Sequence, residues 1–233
     1  MKEWIIGRNA VYETLRAGRR SFYRLWISEQ THPNERLDEI ERLGEQRGLE
    51  AEAIREGQIS AFGEDHQGVA LQVGAYPYVD IEDILKAAEQ KSEPLWVLIL
   101  DQLQDPQNLG SLLRTAEAVG VHGVILPQKR TASVTPSVVR TSAGASEYLQ
   151  IASMNLAQAI ARIKRAGGWT VGLEAGANPS DPQQLPLTGP LALVVGSEGE
   201  GMRSLVRGSC DFLWSLPMRG QVSSLNAAVA GSV

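Results

Sequence analysis

Three stretches of this 233-residue sequence concentrate side chains capable of chemistry. The first is Asp105-Pro106-Gln107-Asn108-Leu109-Gly110, running on to Arg114 amid Leu112, Leu113 and Ala116. An arginine among apolar helix residues calls for a carboxylate partner or an anionic ligand. Asn108 is placed to cap the helix that carries it. The second is Val194-Val195-Gly196-Ser197-Glu198-Gly199-Glu200-Gly201-Met202. Glycines at this density after an apolar run either let a ligand approach the main chain or make a tight turn. The third is Leu216-Pro217-Met218, followed by Ser224-Leu225-Asn226-Ala227-Ala228. Ser and Asn at the mouth of an alanine-rich helix are ordinary caps. Alone, each stretch has a structural explanation.

The elements that must position these residues are legible from periodicity. Leu95 to Leu100 and Leu191 to Val195 are continuous apolar runs, as in strands buried on both faces. Val121–Leu126, Trp169–Leu173 and Phe212–Leu216 add further strands. Leu109–Val119, Ser133–Arg140 and Leu156–Ala166 read as helices. Strands alternating with helices predict an α/β fold with a mostly parallel sheet. All three stretches then fall at C-terminal strand ends, where open α/β sheets bind ligands. The first 75 residues form a separate pattern: helices at Asn9–Ala17 and Arg36–Arg47, strands at Phe22–Ser28 and Gly68–Val73. Pro77 and Pro94 punctuate the stretch between, which includes a short amphipathic helix from Val79 to Leu85. The expected domains are 1–75 and 95–233, joined by a linker over 76–94.

Several functional classes are excluded. No Gly-x-x-x-x-Gly-Lys-Ser/Thr loop is present, nor a Gly-x-Ser-x-Gly elbow. Gly199-Glu200-Gly201 starts like a dinucleotide fingerprint, but Ser204 stands where the third glycine belongs and Glu200 would face the pyrophosphate. His32, His66 and His122 are scattered, so no metal site is expected. Cys210 is the only cysteine, so no internal disulfide can form and a reducing, cytoplasmic setting is expected. No apolar run approaches the roughly 20 residues of a membrane span, and the N-terminus lacks the apolar stretch of a secretory signal.

Net charge is −5, which globally argues against a polyanionic partner. The distribution is uneven. Residues 1–24 carry six bases and two acids, whereas residues 35–65 carry ten acids and four arginines. Lys129, Arg130, Arg140, Arg162, Lys164 and Arg165 make a second basic stretch. Two basic stretches could form a polyanion footprint. Arg8, Arg19 and Arg20 are its expected contacts in the first domain.

Together, Asn108-Leu109-Gly110 with Arg114, Gly196-Ser197-Glu198-Gly199-Glu200-Gly201, and Leu216-Pro217-Met218 with Ser224-Leu225-Asn226-Ala227-Ala228 resemble the three signature motifs of the SpoU (TrmH) RNA ribose 2′-O-methyltransferases. The resemblance covers about 140 residues from Leu95 onward. It extends more loosely to Gly7-Arg8-Asn9-Ala10-Val11, which looks like the substrate-recruiting domain of bacterial 23S ribosomal RNA guanosine methyltransferases of the RlmB type. It implies a SPOUT fold with a trefoil knot, a small ribosomal-protein-like RNA-binding domain before it, and a homodimer through the catalytic domain. It also implies S-adenosylmethionine as methyl donor, without metal. Arg114, Asn108, Glu198, Ser224 and Asn226 would serve catalysis; Gly196, Gly201, Leu216, Met218 and Leu225 would hold the cofactor. A guanosine of 23S rRNA is the expected target, with tRNA methylation or non-catalytic RNA binding as alternatives. In this family the motif-three helix continues about two turns past the position of Val233, so a truncated C-terminus is expected.

Overall fold

The computed structural model describes residues 2–129, 131–174, 187–218, 220–221 and 225–232. In chain order the elements are β1 (Lys2–Ile6), α1 (Arg8–Ala17), β2 (Phe22–Ser28), α2 (Glu35–Gln46), β3 (Ala51–Ile54), α3 (Glu56–Ser60), β4 (Val69–Gly74), α4 (Ile81–Lys91), β5 (Trp96–Leu100) and α5 (Pro106–Ala118). They continue with β6 (Gly123–Leu126), α6 (Pro136–Thr141), β7 (Ile151–Ser153), α7 (Leu156–Arg165), β8 (Trp169–Leu173), β9 (Leu191–Val195), α8 (Ser204–Ser209), β10 (Phe212–Trp214) and α9 (Ala227–Ala230). Two compact units result: Met1–Pro77 with Ser133–Tyr148, and Tyr78–Ala132 with Leu149–Val233. Residues 133–148, expected with the second domain, therefore pack with the first. The stretch 76–94 is mostly α4, whose Ile81, Ile84 and Ala88 are buried in the core of the second unit.

The first unit is a four-stranded sheet in the order β1-β4-β2-β3, mixed in direction. Side chains alternate across it. Ile5, Leu71 and Leu25 pair in one fully buried row. The helices cover that face: a Cβ on Gly44 of α2 would sit 2.8 Å from a Leu25 methyl. Asn34 starts α2 by accepting the Leu37 N–H at 3.1 Å. The other face is covered only in part, by Ile59 of α3 over Ile6, Ile54 and Ala70.

Residues 133–148 are fastened to this unit by a buried ion pair. The Arg20 side chain is fully buried; its Nε and Nη2 donate to the two Glu147 oxygens at 2.9 and 2.7 Å. Nη1 donates to Glu3 and to the Gly74 carbonyl, each at 3.2 Å. Arg19 donates to the Glu147 carbonyl at 3.1 Å, and Arg8 Nε to the Gln67 carbonyl at 3.0 Å. The expectation that all three arginines form the RNA footprint is corrected for Arg20, whose side chain is fully buried. Arg20 is structural, and the other two commit donors inside the unit.

The second unit is a six-stranded sheet in the order β10-β8-β9-β5-β6-β7, parallel at every pairing. Its central strands are buried runs, as the sequence predicts: Val97, Ile99 and Leu100 are fully buried. α4, α7 and α8 build a core with one face. α5 begins at Asp105, whose carboxylate accepts the Gln107 N–H at 3.0 Å, with Pro106 at the first helical position. The cap is thus Asp105 rather than Asn108, which lies in the first turn with its amide free for other work. After β10 at the sheet edge the chain returns to the centre. There α9 meets α5, and a Cβ on Gly231 would lie 2.6 Å from Leu112 and 3.2 Å from Val195. Among the described residues no helix is long and apolar enough to cross a membrane.

Candidate active site

β9 ends at Val195 and the glycine loop begins. Two fastenings shape it. Ser197 and Gly201 pair through both main-chain bonds, at 3.1 and 3.0 Å. Gly199 and Gly201 adopt φ of 82° and 66°, the left-handed region that suits glycine. A Cβ on Gly196 would fall 2.4 Å from the Gly201 carbonyl carbon, so only glycine lets the loop fold back on itself. The second fastening joins the loop's far end to β5. Asp101, fully buried, accepts the Arg203 N–H at 2.8 Å and its Nε and Nη2 at 2.8 and 2.7 Å. Its own N–H donates to the Val195 carbonyl at 2.8 Å. Sequence reasoning missed both residues of this clamp. They lie 102 positions apart, and the only local signal was an acid directly after a buried strand.

Glu198 then ties the loop to two helices. Its Oε1 accepts from Asn108 Nδ2 at 2.9 Å, from Asn226 Nδ2 in a short contact, and from the Ala227 N–H at 3.1 Å. Asn226 Nδ2 also donates to Asn108 Oδ1 at 2.9 Å. Its Oδ1 caps α9, accepting the Ala228 and Val229 N–H groups at 2.9 and 3.2 Å. Three expected site residues, one from each motif, therefore form one hydrogen-bonded cluster. Arg114 does not join it. The side chain is exposed on α5 and makes no hydrogen bond or ion pair among the described residues. Of the two partners its apolar neighbours call for, the carboxylate is absent among the described residues. Ser224 lies outside the described residues.

Beside the cluster opens a cavity of about 620 Å³ at the C-terminal ends of β8, β9 and β10. Gly196, Gly201, Leu216, Met218 and Leu225 all line it, with Glu198 and Asn226 at the wall. Leu173 and Glu174, at the end of β8, complete the lining and had no motif to announce them. The size is that of a small-molecule site. The lining mixes apolar side chains, loop backbone and the acids Glu174, Glu198 and Glu200. Cys210, packed against the core of this unit, donates to the Val206 carbonyl, and burial pushes its thiol up to about 11. That holds it as an inert thiol at neutral pH. Among the described residues no group of three or more His, Cys, Asp or Glu is arranged to hold a metal ion.

Comparison with known proteins agrees with this geometry. The SpoU rRNA Methylase family matches residues 96–233, and the RNA 2′-O ribose methyltransferase substrate binding family matches residues 4–79. YacO of Bacillus subtilis (strain 168), named for the TrmH family of tRNA/rRNA methyltransferases, is 43% identical over 99% of this chain and 92% of its own length. In fold, the chain is similar to the SpoU methyltransferase AviRb of Streptomyces viridochromogenes, crystallised with the cofactor AdoMet. The TM-score is 0.83 at 24% identity, over 99% of this chain and 86% of that one. It is also similar to an AdoMet-bound rRNA methyltransferase of Sinorhizobium meliloti, with a TM-score of 0.78 at 24% identity over 99% and 84%. The architecture is the α/β SpoU methyltransferase fold preceded by a substrate-binding domain, and the chain belongs to the SpoU rRNA methylase family.

Proposed function

We propose that this chain methylates a ribose 2′-hydroxyl of RNA with S-adenosylmethionine as donor. The observation that carries the reading is the cavity at the C-terminal ends of β8, β9 and β10, walled by Glu198 and Asn226, which both bond to Asn108. Its residues fit the donor. Leu173, Leu216 and Leu225 offer apolar walls for an adenine, the loop offers main-chain groups, and the lining acids suit a ligand carrying a sulfonium and an ammonium. When bound, that donor supplies a methyl group on a positively charged sulfur that leaves as a neutral thioether.

The chain's own part is to place the nucleophile. The reaction is an in-line displacement, so the hydroxyl oxygen must be aimed at the methyl carbon while its proton departs. Arg114 is the proposed catalytic residue. Its exposed guanidinium has a planar fork of donors that can hold a ribose hydroxyl and an adjacent phosphate together. A guanidinium donates hydrogen bonds and carries no lone pair free to accept a proton, so its work is orientation and charge neutralisation. Asn108, Glu198 and Asn226 bond to one another and to the start of α9, which suits positioning. Ser224 is included on motif grounds. For the target we favour ribosomal RNA, a 23S guanosine in particular, over tRNA. Support comes from the SpoU rRNA Methylase match at 96–233 and from a likeness to an rRNA methyltransferase that runs the length of the chain. A homodimer through the second unit belongs to the same reading.

The test is methyl transfer. The purified chain is incubated with methyl-labelled donor and with rRNA or tRNA from cells lacking the gene, and labelled riboses are mapped by mass spectrometry. One labelled 2′-oxygen in rRNA is expected. Label in tRNA alone would move the target, and no label in either would sink the assignment.

A further inference from the structure

We infer that the open face of the first unit's sheet is a base-stacking platform for a single-stranded segment of the RNA substrate. The inference rests on the RNA reading above and names the surface and the form of RNA it takes. The pairing register defines the face. Trp4, Gln72 and Arg24 form one row across β1, β4 and β2. Ile6, Ala70, Trp26 and Glu52 form the next, and Lys2 leads β1 on the same side. Ile59 of α3 is buried with Ile6, Ile54 and Ala70, and Trp4 and Trp26 pack only partly buried against that cluster.

Beyond α3 the face is aromatic and partly open. Trp4 stacks on Phe62 with ring centroids 4.8 Å apart and planes at 23°. Trp26 lies 4.3 Å from Trp4. Phe62 is 37% exposed, and both tryptophans keep part of their surface in solvent. Two half-buried tryptophans on the sheet, with a partly exposed Phe62 from the turn after α3 laid against them, are a costly way to fill a core.

Charge selects the partner. Arg24 is exposed and makes no ion pair among the described residues. Lys2 sits 4.0 Å above the ring of Tyr23, itself 42% exposed. Glu52, the acid on this face, accepts the Trp26 indole N–H at 3.0 Å and so steadies that ring. Aromatic planes flanked by two cations suit unstacked bases joined by phosphates. A duplex hides its base faces and cannot use them. Of the six bases in residues 1–24, Lys2 and Arg24 are the strand residues on this face, while Arg20 is locked inside.

The experiment uses the full chain and a fluorescein-labelled RNA of about 12 nucleotides, single-stranded or annealed to its complement, followed by anisotropy across a salt series. Single strands are expected to bind more tightly than the duplex. Phe62→Ala should weaken single-strand binding about tenfold, while Trp26→Phe, which keeps a stacking ring, stays close to the parent. Arg24→Ala, an exposed change that leaves the core alone, should flatten the salt slope by about 0.7. Equal binding of duplex and single strand would overturn the inference. So would unchanged affinity and slope in both Phe62→Ala and Arg24→Ala. If instead Phe62→Ala only converts a dimer to a monomer in sedimentation, the face is a protein interface and the inference fails. Methyl transfer is scored separately. Loss of transfer with the platform intact sinks the proposed function alone, and transfer indifferent to both variants sinks this inference alone.

Discussion

Asn226 uses both ends of one amide: its oxygen caps α9, and its nitrogen donates to Asn108 and Glu198. The cap and the site residue are the same side chain. That duality makes a sharp test. Asn226→Asp keeps a capping oxygen but turns the donor into a second carboxylate facing Glu198. Like charges at hydrogen-bond distance repel, so the cluster should open. Donor affinity measured by calorimetry at pH 7 should fall at least about tenfold, one pKa unit's worth of repulsion. Asn226→Asp binding as tightly as the parent would show that the cluster does not support the cavity. Arg114 tests the opposite case, a side chain with no role in holding the fold. Arg114→Ala should abolish transfer while donor affinity stays within a few-fold. Arg114→Lys should fail largely as well, because an ammonium cannot make the planar two-pronged contact. Single-turnover rates decide it, and a lysine variant near the parent rate would reduce Arg114 to a point charge.

Among the elements, the apolar strands were legible, down to β6 with four residues and β10 with three, whereas β1, β3 and β7 were not. β5 and β9 stand out as uninterrupted runs because both their faces are buried. β1 reads Lys-Glu-Trp-Ile-Ile, an edge strand with charges at its start, and β3 is exposed at three of its four positions. β7 has three residues and α8 six, too few for a period to register. The site was legible as three motifs at strand ends. The Asp101–Arg203 and Arg20–Glu147 pairs were not, because each joins distant positions and no local pattern encodes a tertiary partner. Asp211, at the head of β10, is a further pair of this kind. It accepts the Thr170 N–H at 3.0 Å, the Thr170 hydroxyl at 2.8 Å and Lys164 at 2.7 Å. Burial pulls its carboxyl up, but the bonds from Lys164 and Thr170 win, and it sits below the ordinary aspartate range. A depressed acid contributes stability above its unfolded pKa and loses it as pH falls through the folded one. Urea midpoints should therefore decline below about pH 4. Asp211→Asn should lower stability at pH 7 by about 1 kcal/mol and lose that part of the acid decline. An unchanged acid limb in the variant would reject the assignment.

At the scale of the whole molecule, the chain alternates between its two units: residues 1–77 build the first, 78–132 the second, 133–148 return to the first, and 149–233 finish the second. Cutting the sequence at an apparent linker therefore does not cut the structure cleanly. A chain beginning at Tyr78 keeps every residue that lines the cavity, along with the Asp101–Arg203 clamp. It strips the partners from 133–148. Glu147 loses Arg20, the Ser146 carbonyl loses the Tyr76 hydroxyl that donates to it at 3.0 Å, and Tyr148 loses Glu13 at 2.5 Å. Removing one member of a buried ion pair typically costs roughly 3–5 kcal/mol, enough to melt a short helix that has lost its packing. The expected outcome is split. Donor affinity of the shortened chain should remain within a few-fold of the full chain by calorimetry. Amide exchange over 133–148 should become fast while 96–100 and 191–195 stay protected. The single change Arg20→Ala in the full chain should reproduce the exchange pattern at 133–148 without touching the cavity. Protection of 133–148 that survives both changes would mean the second unit holds that segment by itself, and the alternation would then be one of sequence only.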